Sequence, residues 1–171
     1  MSYHLVTTSE IKTRSLDKQN LFLGSWCVPY SEIISKNLKD YLFVKPLLIN
    51  KENLDKDQNK ILNFTKRLIE KVIPILNKHH NENFDERQWT ILLGIWIHKY
   101  VSMIINRYSI LESALKNYDI SSSTFYFSKD YEINCNDTYN FSEICNDSLW
   151  NNVIYYKILS YIDHRFEKKI L

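Results

Sequence analysis

The chain of 171 residues has only two glycines and three prolines. So few glycines leave no room for a Gly-rich phosphate loop or a dinucleotide fingerprint. So few turn-formers also argue against an all-β fold with many tight turns. The three cysteines, Cys27, Cys135 and Cys145, are odd in number, and no pair has a zinc-site spacing. The N-terminus carries no signal-peptide pattern, so a reducing cytoplasm is the expected compartment. No apolar run approaches the ~18 residues that a membrane-spanning helix needs. A net charge of +2 makes no general case for nucleic-acid binding. Nor is there a serine nucleophile elbow.

Aromatic residues are abundant: 12 Tyr, 8 Phe and 4 Trp. They build cores and interfaces, and they also line sugar and base sites. Hydrophobic residues make up 44% and charged residues 25%, which is ordinary for a globular protein. The length predicts a single domain over 1–171.

The stretch from Asn83 to Asn117 has the longest consistent period. Trp89, Leu92, Leu93, Trp96, Tyr100, Ile104, Tyr108, Leu111 and Leu115 recur at steps of three and four, as on a 3.6-period helix. Asp85 with Gln88 reads as a capping box. Ile91, Ile95, Ile97, Val101, Met103 and Ile105 widen the stripe to most of the circumference, which predicts a helix inside a packed domain. Gly94 is a candidate kink or close approach. Arg107 lies in helical phase with this stripe. It is expected either to bond a structural carboxylate or helix C-terminus, or to bind an anion in a cleft.

Tyr3–Thr8 and Asn20–Cys27 read as two short strands, the second with a continuous apolar run, Leu21 to Leu23, closed by Gly24. Such runs suit buried parallel strands, whose carboxyl ends carry ligand sites in open α/β sheets. The segment YLFVKPLL, ended by Pro46, is a candidate strand or edge segment. A second helix is expected to follow with Asp55 or Asp57 as N-cap, to loosen at Ile69–Ile73 ahead of Pro74, and to end at Asn77–His80. Ser121–Ser128 reads as a third strand and Lys129–Thr138 as a polar loop. Asn140 with Glu143 resembles a capping box opening one helix to about Arg165, with Lys168 and Lys169 at its cation-favouring end. No separate closing element is expected after it.

His79 and His80 are adjacent, point in different directions on a helix, and lack the ligand count of a metal site. Cys27 after a strand has the position of a nucleophile, but a small buried thiol is the commoner case. Trp150, set among amides in DSLWNN, suits a sugar-stacking platform, although core packing is the default. The fold class that results is α/β and predominantly helical: three long helices packed with a small parallel sheet of two or three short strands.

Several segments, taken together, resemble a known family: NLFLGSWC, ILNKHH at Ile75–His80, RQWTILLGIW at Arg87–Trp96, NRYSIL at Asn106–Leu111 and NDSLWNNVIYYKIL at Asn146–Leu159. In order and spacing they resemble the N-terminal region of a family of transferases found in lipopolysaccharide and surface-polysaccharide loci of leptospires and many other bacteria. The resemblance runs from Tyr3 to about Ile162. It implies a partial Rossmann-like domain, the acceptor-side part of a larger glycosyltransferase of the B type. A nucleotide-sugar donor and a glycan acceptor would be the complete protein's partners, with no other cofactor and no nucleic acid. The C-terminal half would be missing or separately encoded, leaving the chain inactive by itself. Gly24, Trp26, Asn77, His80, Trp89, Trp96, Arg107, Tyr108 and Trp150 match the family pattern. Of these, Gly24, Trp26, Arg107, His80 and Trp150 are the candidate substrate-binding residues, and no catalytic residue is assigned. Ser25 stands where an acidic residue is common, Asn106 where Asp precedes the Arg-Tyr pair, and Ile95 where Pro is usual. The first departure removes a potential general base. A non-enzymatic helical interaction module is the alternative.

Overall fold

Strand β1 (Tyr3–Val6) pairs in parallel with β2 (Gln19–Phe22) on one side and with β4 (Ile120–Phe125) on the other. Leu5 and Val6 are both fully buried, as are Leu21 and Phe22 to within a few per cent. Neighbouring residues on a strand face opposite ways, so these strands are covered on both faces, as the unbroken apolar run at Leu21 predicts. Edge strands β3 (Leu42–Phe43) and β5 (Glu167–Ile170) complete an all-parallel sheet of order β3-β2-β1-β4-β5. The sheet thus has five strands where two or three are legible. The short β3 lies in YLFVKPLL as anticipated. The fifth strand follows a segment that reads as the end of a helix: Lys168 and Lys169 belong to β5, which is the closing element. Lys168 still reaches a helix end, donating to the Leu159 carbonyl at 3.1 Å.

This computed structural model describes residues 2–35, 38–46, 51–128, 133–162 and 166–171, with 51–54 by backbone only. Residues 129–132 of the loop expected at Lys129–Thr138, and the helix end expected near Arg165, therefore lie outside the described residues, while 133–137 are loop as expected. Two compact units result: Met1–Leu47 with Arg107–Leu171, and Leu48–Asn106.

The first unit holds the sheet, α1 (Tyr30–Ser35), α4 (Thr138–Ile144) and α5 (Ser148–Ile162). The crossover from β1 to β2 spans residues 7–18 and contains only a 3₁₀ turn at Ile11–Thr13. Parallel strands are usually joined through an α-helix, so this crossover is held by side chains instead. His4 Nε2 lies 2.8 Å from the Thr13 carbonyl, which can only accept, so that nitrogen carries the proton. His4 Nδ1 then accepts from Ser122 Oγ at 2.9 Å. A register shift between Tyr3 and His4 brings Ser122 opposite the histidine. Asn20 exchanges two bonds with the Ser15 backbone, at 2.8 and 2.9 Å.

Burial is the main force that pulls the His4 pKa below its ordinary value of 6.5. Lys18 pulls the same way, while the Thr13 carbonyl and Glu167 oppose it. Below 6.5 the unfolded chain therefore binds the proton more readily than the fold. Stability is expected to fall as pH drops from 6.5 through the depressed folded pKa. Chemical denaturation between about pH 5 and 8 should show this slope, and His4→Gln should remove the histidine's share.

The C-terminal helical segment is two helices, not one from Asn140. Asp137 Oδ1 accepts from the Asn140 amide at 2.7 Å, so the N-cap of α4 lies three residues earlier than Asn140. Asp147 Oδ1 takes the Trp150 amide at 2.7 Å and opens α5. Short polar side chains here capture backbone groups that a continuous helix would have paired internally.

The second unit contains α2 (Lys51–His80) and α3 (Glu86–Asn117) as far as Asn106. The first of these begins at least four residues before Asp55. Its polar opening lacks Gly and Pro and so extends the helix rather than capping it. It runs through Pro74 without interruption. The capping box at the start of α3 is present and reciprocal: Gln88 N to Asp85 Oδ1 at 2.8 Å, Asp85 N to Gln88 Oε1 at 2.9 Å. Ile69, Ile97 and Val101 form the unit's core, with Leu68, Val72, Leu93 and Trp96 against them. The expectation of burial on nearly all sides is corrected here. Ile91, Leu92 and Ile95 are 71%, 60% and 73% exposed, because one partner helix covers only one face.

Candidate functional site at the carboxyl edge of the sheet

The sheet order reverses between β1 and β4. That is the topological switch point, where open α/β sheets hold ligands. Thr7, Thr8 and Ser9 follow β1 there, and Tyr126 follows β4. The first turns of α5 meet both. Asn152, fully buried, accepts from Thr7 Oγ1 at 3.1 Å and donates to the Tyr126 carbonyl at 3.0 Å. One turn earlier, Ser148 Oγ lies 2.8 Å from Thr8 Oγ1 and 3.2 Å from Ser9 Oγ. Ser9 and Ser148 are half-buried, so hydroxyls at the start of α5 border the switch point within reach of solvent. Lys12 Nζ stands 5.4 Å over the Tyr126 ring.

On the other side of β1, the chain leaves β2 through Leu23 and Gly24 into a 3₁₀ turn, Ser25–Cys27. Gly24 is buried beneath the Trp26 indole. A Cβ at position 24 would fall within van der Waals radii of Trp26 Cζ3, Cη2 and Cε3, so the ring lies flush with the backbone. The same indole is 52% exposed. Of the five anticipated substrate residues, these two are brought together, and both sit at a strand end.

Arg107 is placed on the first unit's part of α3. Its Nη2 donates to the Cys145 carbonyl, the C-cap of α4, at 3.2 Å, and its Nε donates to Asn151 Oδ1 at 3.2 Å. Asn151 Nδ2 also donates to the Cys145 carbonyl, at 2.6 Å. The guanidinium thus fastens the turn between α4 and α5, which is the helix-terminus option. Burial pushes the nearby Tyr155 phenol up to about 12, against the pull of Arg107.

Trp150 is 1% exposed, with Phe141 edge-on at 6.1 Å, and so offers no face to a sugar in this conformation. His80 belongs to the second unit, where its ring stands 5.7 Å from that of Trp89. Trp89 Nε1 donates to Asn77 Oδ1 at 2.7 Å, and Asn77 also bonds both Phe84 backbone groups. Asn77, His80 and Trp89 therefore lock the turn between α2 and α3. Trp96 stacks on Tyr100, and Tyr108 is 41% exposed rather than core.

Cys27 is fully buried, and burial raises its thiol to about 12. It is no nucleophile in this state. Among the described residues no group of three or more His, Cys, Asp or Glu is placed to hold a metal. No helix among them is long and apolar enough to cross a membrane.

Ser148 and Asn152 are the site residues that reading the sequence overlooked. Their i, i+4 spacing puts both on one face of a helix, but only the sheet order shows what that face meets. The family model described as LIC12162 family transferase matches residues 3–170. No curated protein and no solved structure matches the chain.

Proposed function

The chain belongs to the LIC12162 family of transferases, and from that premise we propose that it is the acceptor-side domain of a sugar transferase of bacterial surface-polysaccharide synthesis. The larger enzyme is of the glycosyltransferase-B type and acts in the cytoplasm. A nucleotide sugar is the donor, bound mainly by a second domain, and the acceptor is a glycan of the lipopolysaccharide or capsule class. The observation that carries this reading is the exposed indole of Trp26, held flush on Gly24 at the carboxyl end of β2. An aromatic ring held against the backbone with one face toward water is a surface on which an apolar ring face can stack. The apolar face of a pyranose ring fits such a platform.

The hydroxyls of Ser9 and Ser148, which the buried Thr8 positions from beneath, and the cation of Lys12 border the same sheet edge. Strands lie about 4.8 Å apart, so the ends of β2 and β4 flank that of β1 within the span of a disaccharide. Hydrogen bonds from these hydroxyls orient the acceptor, and Trp26 holds its face. With Ser25 in place of an acid, the base that deprotonates the acceptor hydroxyl is not supplied at that position.

The test is transfer of radiolabelled sugar from nucleotide-sugar donors to polysaccharide precursors, by this chain together with any adjacent reading frame of the family. Trp26→Ala is expected to raise the acceptor KM at least tenfold and leave the donor KM unchanged. An unchanged acceptor KM contradicts the assignment. Gly24→Ala is a finer probe. Its methyl group displaces the indole, whose far edge is free to swing into water. The variant should therefore fold with a stability change of about 0.5 kcal/mol yet bind acceptor as poorly as Trp26→Ala. Wild-type binding by Gly24→Ala would show that the ring's position is immaterial.

A further inference from the structure

We propose that the outward face of α2 docks on an anionic lipid surface. This is independent of the transfer reading and rests on the second unit alone. Lys60, Phe64, Arg67, Lys71, Ile75 and Lys78 are all exposed and recur at steps of four, three, four, four and three. That spacing aligns them in one stripe about 27 Å long. It lies opposite Ile69, which packs in the unit's core, and Val72 stands between the two. The stripe itself contains four cations and no carboxylate. One flanking acid, Asp57, pairs with Lys60 at 3.5 Å. Glu70 lies off the stripe, about 60° around the helix from Arg67.

Two large apolar side chains stand among these cations, Phe64 at 55% and Ile75 at 66% exposure. Their separation of eleven residues is about three turns. Cations matched to headgroup phosphates, with apolar side chains reaching the acyl boundary between them, are how a helix lies on a membrane. A nucleic acid offers the phosphates but no apolar layer for Ile75. A second copy would set the cations of one stripe against those of the other. The helix is not long and apolar enough to cross a bilayer, so the contact is peripheral.

Flotation of the whole chain with vesicles tests this. It is expected to float with vesicles containing one-third phosphatidylglycerol, to stay behind with pure phosphatidylcholine, and to be released by high salt. The double reversal Arg67→Glu/Lys71→Glu should lower partitioning by about twentyfold or more. Phe64→Ser should lower it severalfold even at low salt. These positions are exposed, and unchanged circular dichroism would confirm that the variants fold. Equal flotation on both vesicle types overturns the proposal, as does wild-type partitioning of the double reversal. Capture of a single-stranded oligonucleotide without vesicle binding also overturns it. So does a dimer that Phe64→Ser dissolves while vesicles bind nothing.

Discussion

Glu32→Leu is expected to destabilise the sheet-bearing unit by about 3–5 kcal/mol. Arg14 Nη1 donates to both carboxylate oxygens of Glu32, at 3.1 and 3.0 Å, and the side-chain exposures are only 15% and 14%. The pair ties the β1–β2 crossover to α1. The Tyr41 hydroxyl also donates to Glu32, and that hydrogen bond is the main reason its phenol pKa is raised. Arg14 Nε and Nη2 are buried with no hydrogen-bond partner among the described residues, and the guanidinium lies 5.3 Å over the Phe22 ring. Removing the carboxylate would leave a buried cation with nothing to balance it. For a chain of this size, thermal midpoint should fall by roughly 6–20 °C. Arg14→Met/Glu32→Leu removes both charges and is expected to recover to within about 1 kcal/mol of the parent, or to exceed it. Thermal denaturation of the two singles and the double decides the matter. If the double is as unstable as Glu32→Leu, the loss comes from packing and not from the stranded charge.

The second large effect is expected at Asn152→Asp, a change of almost no volume. The asparagine amide donates to the Tyr126 carbonyl and accepts from Thr7, with no exposure to water. An aspartate there can bond the carbonyl only when protonated, so burial and the facing oxygen raise its folded pKa above the ordinary ~3.9. For a carboxyl raised in this way, the folded state is favoured below the unfolded pKa. That advantage is lost as pH rises through the folded pKa. At neutral pH the variant should lose about 3–5 kcal/mol, and the deficit should shrink as pH falls toward ~4. Urea denaturation at both pH values measures it. A pH-independent deficit, or one below ~1 kcal/mol, would mean that Asn152 does not join β1, β4 and α5 as described.

Elements set by local chemistry were legible in the sequence. The capping box at Asp85, the apolar run at Leu21–Leu23 and the termination of α2 at Asn77–His80 each follow from a few adjacent residues. Features that depend on distant partners were not. Strand β5, with the composition EKKI, has no apolar alternation; only the exposed backbone of β4 makes it a strand. Ile91, Leu92 and Ile95 satisfy the helical period as well as Ile97 does, and the period cannot say how many faces a neighbour covers. The same holds at the site. A glycine–tryptophan pair after a strand is visible in NLFLGSWC. That Arg107 and Trp150 are committed to structural bonds and packing depends on Cys145, Asn151 and Phe141, which lie far from Arg107 in sequence or are hidden within one helical pattern.

The most direct measurement is the backbone amide spectrum of the isotopically labelled chain, titrated with oligosaccharides of the proposed acceptor class. The account predicts saturable shifts confined to Thr7–Ser9, Gly24–Trp26 and Ser148–Asn152, with the Trp26 indole signal moving most and Trp26→Ala removing them. Shifts centred elsewhere in the chain, or the same shifts in Trp26→Ala, would contradict it.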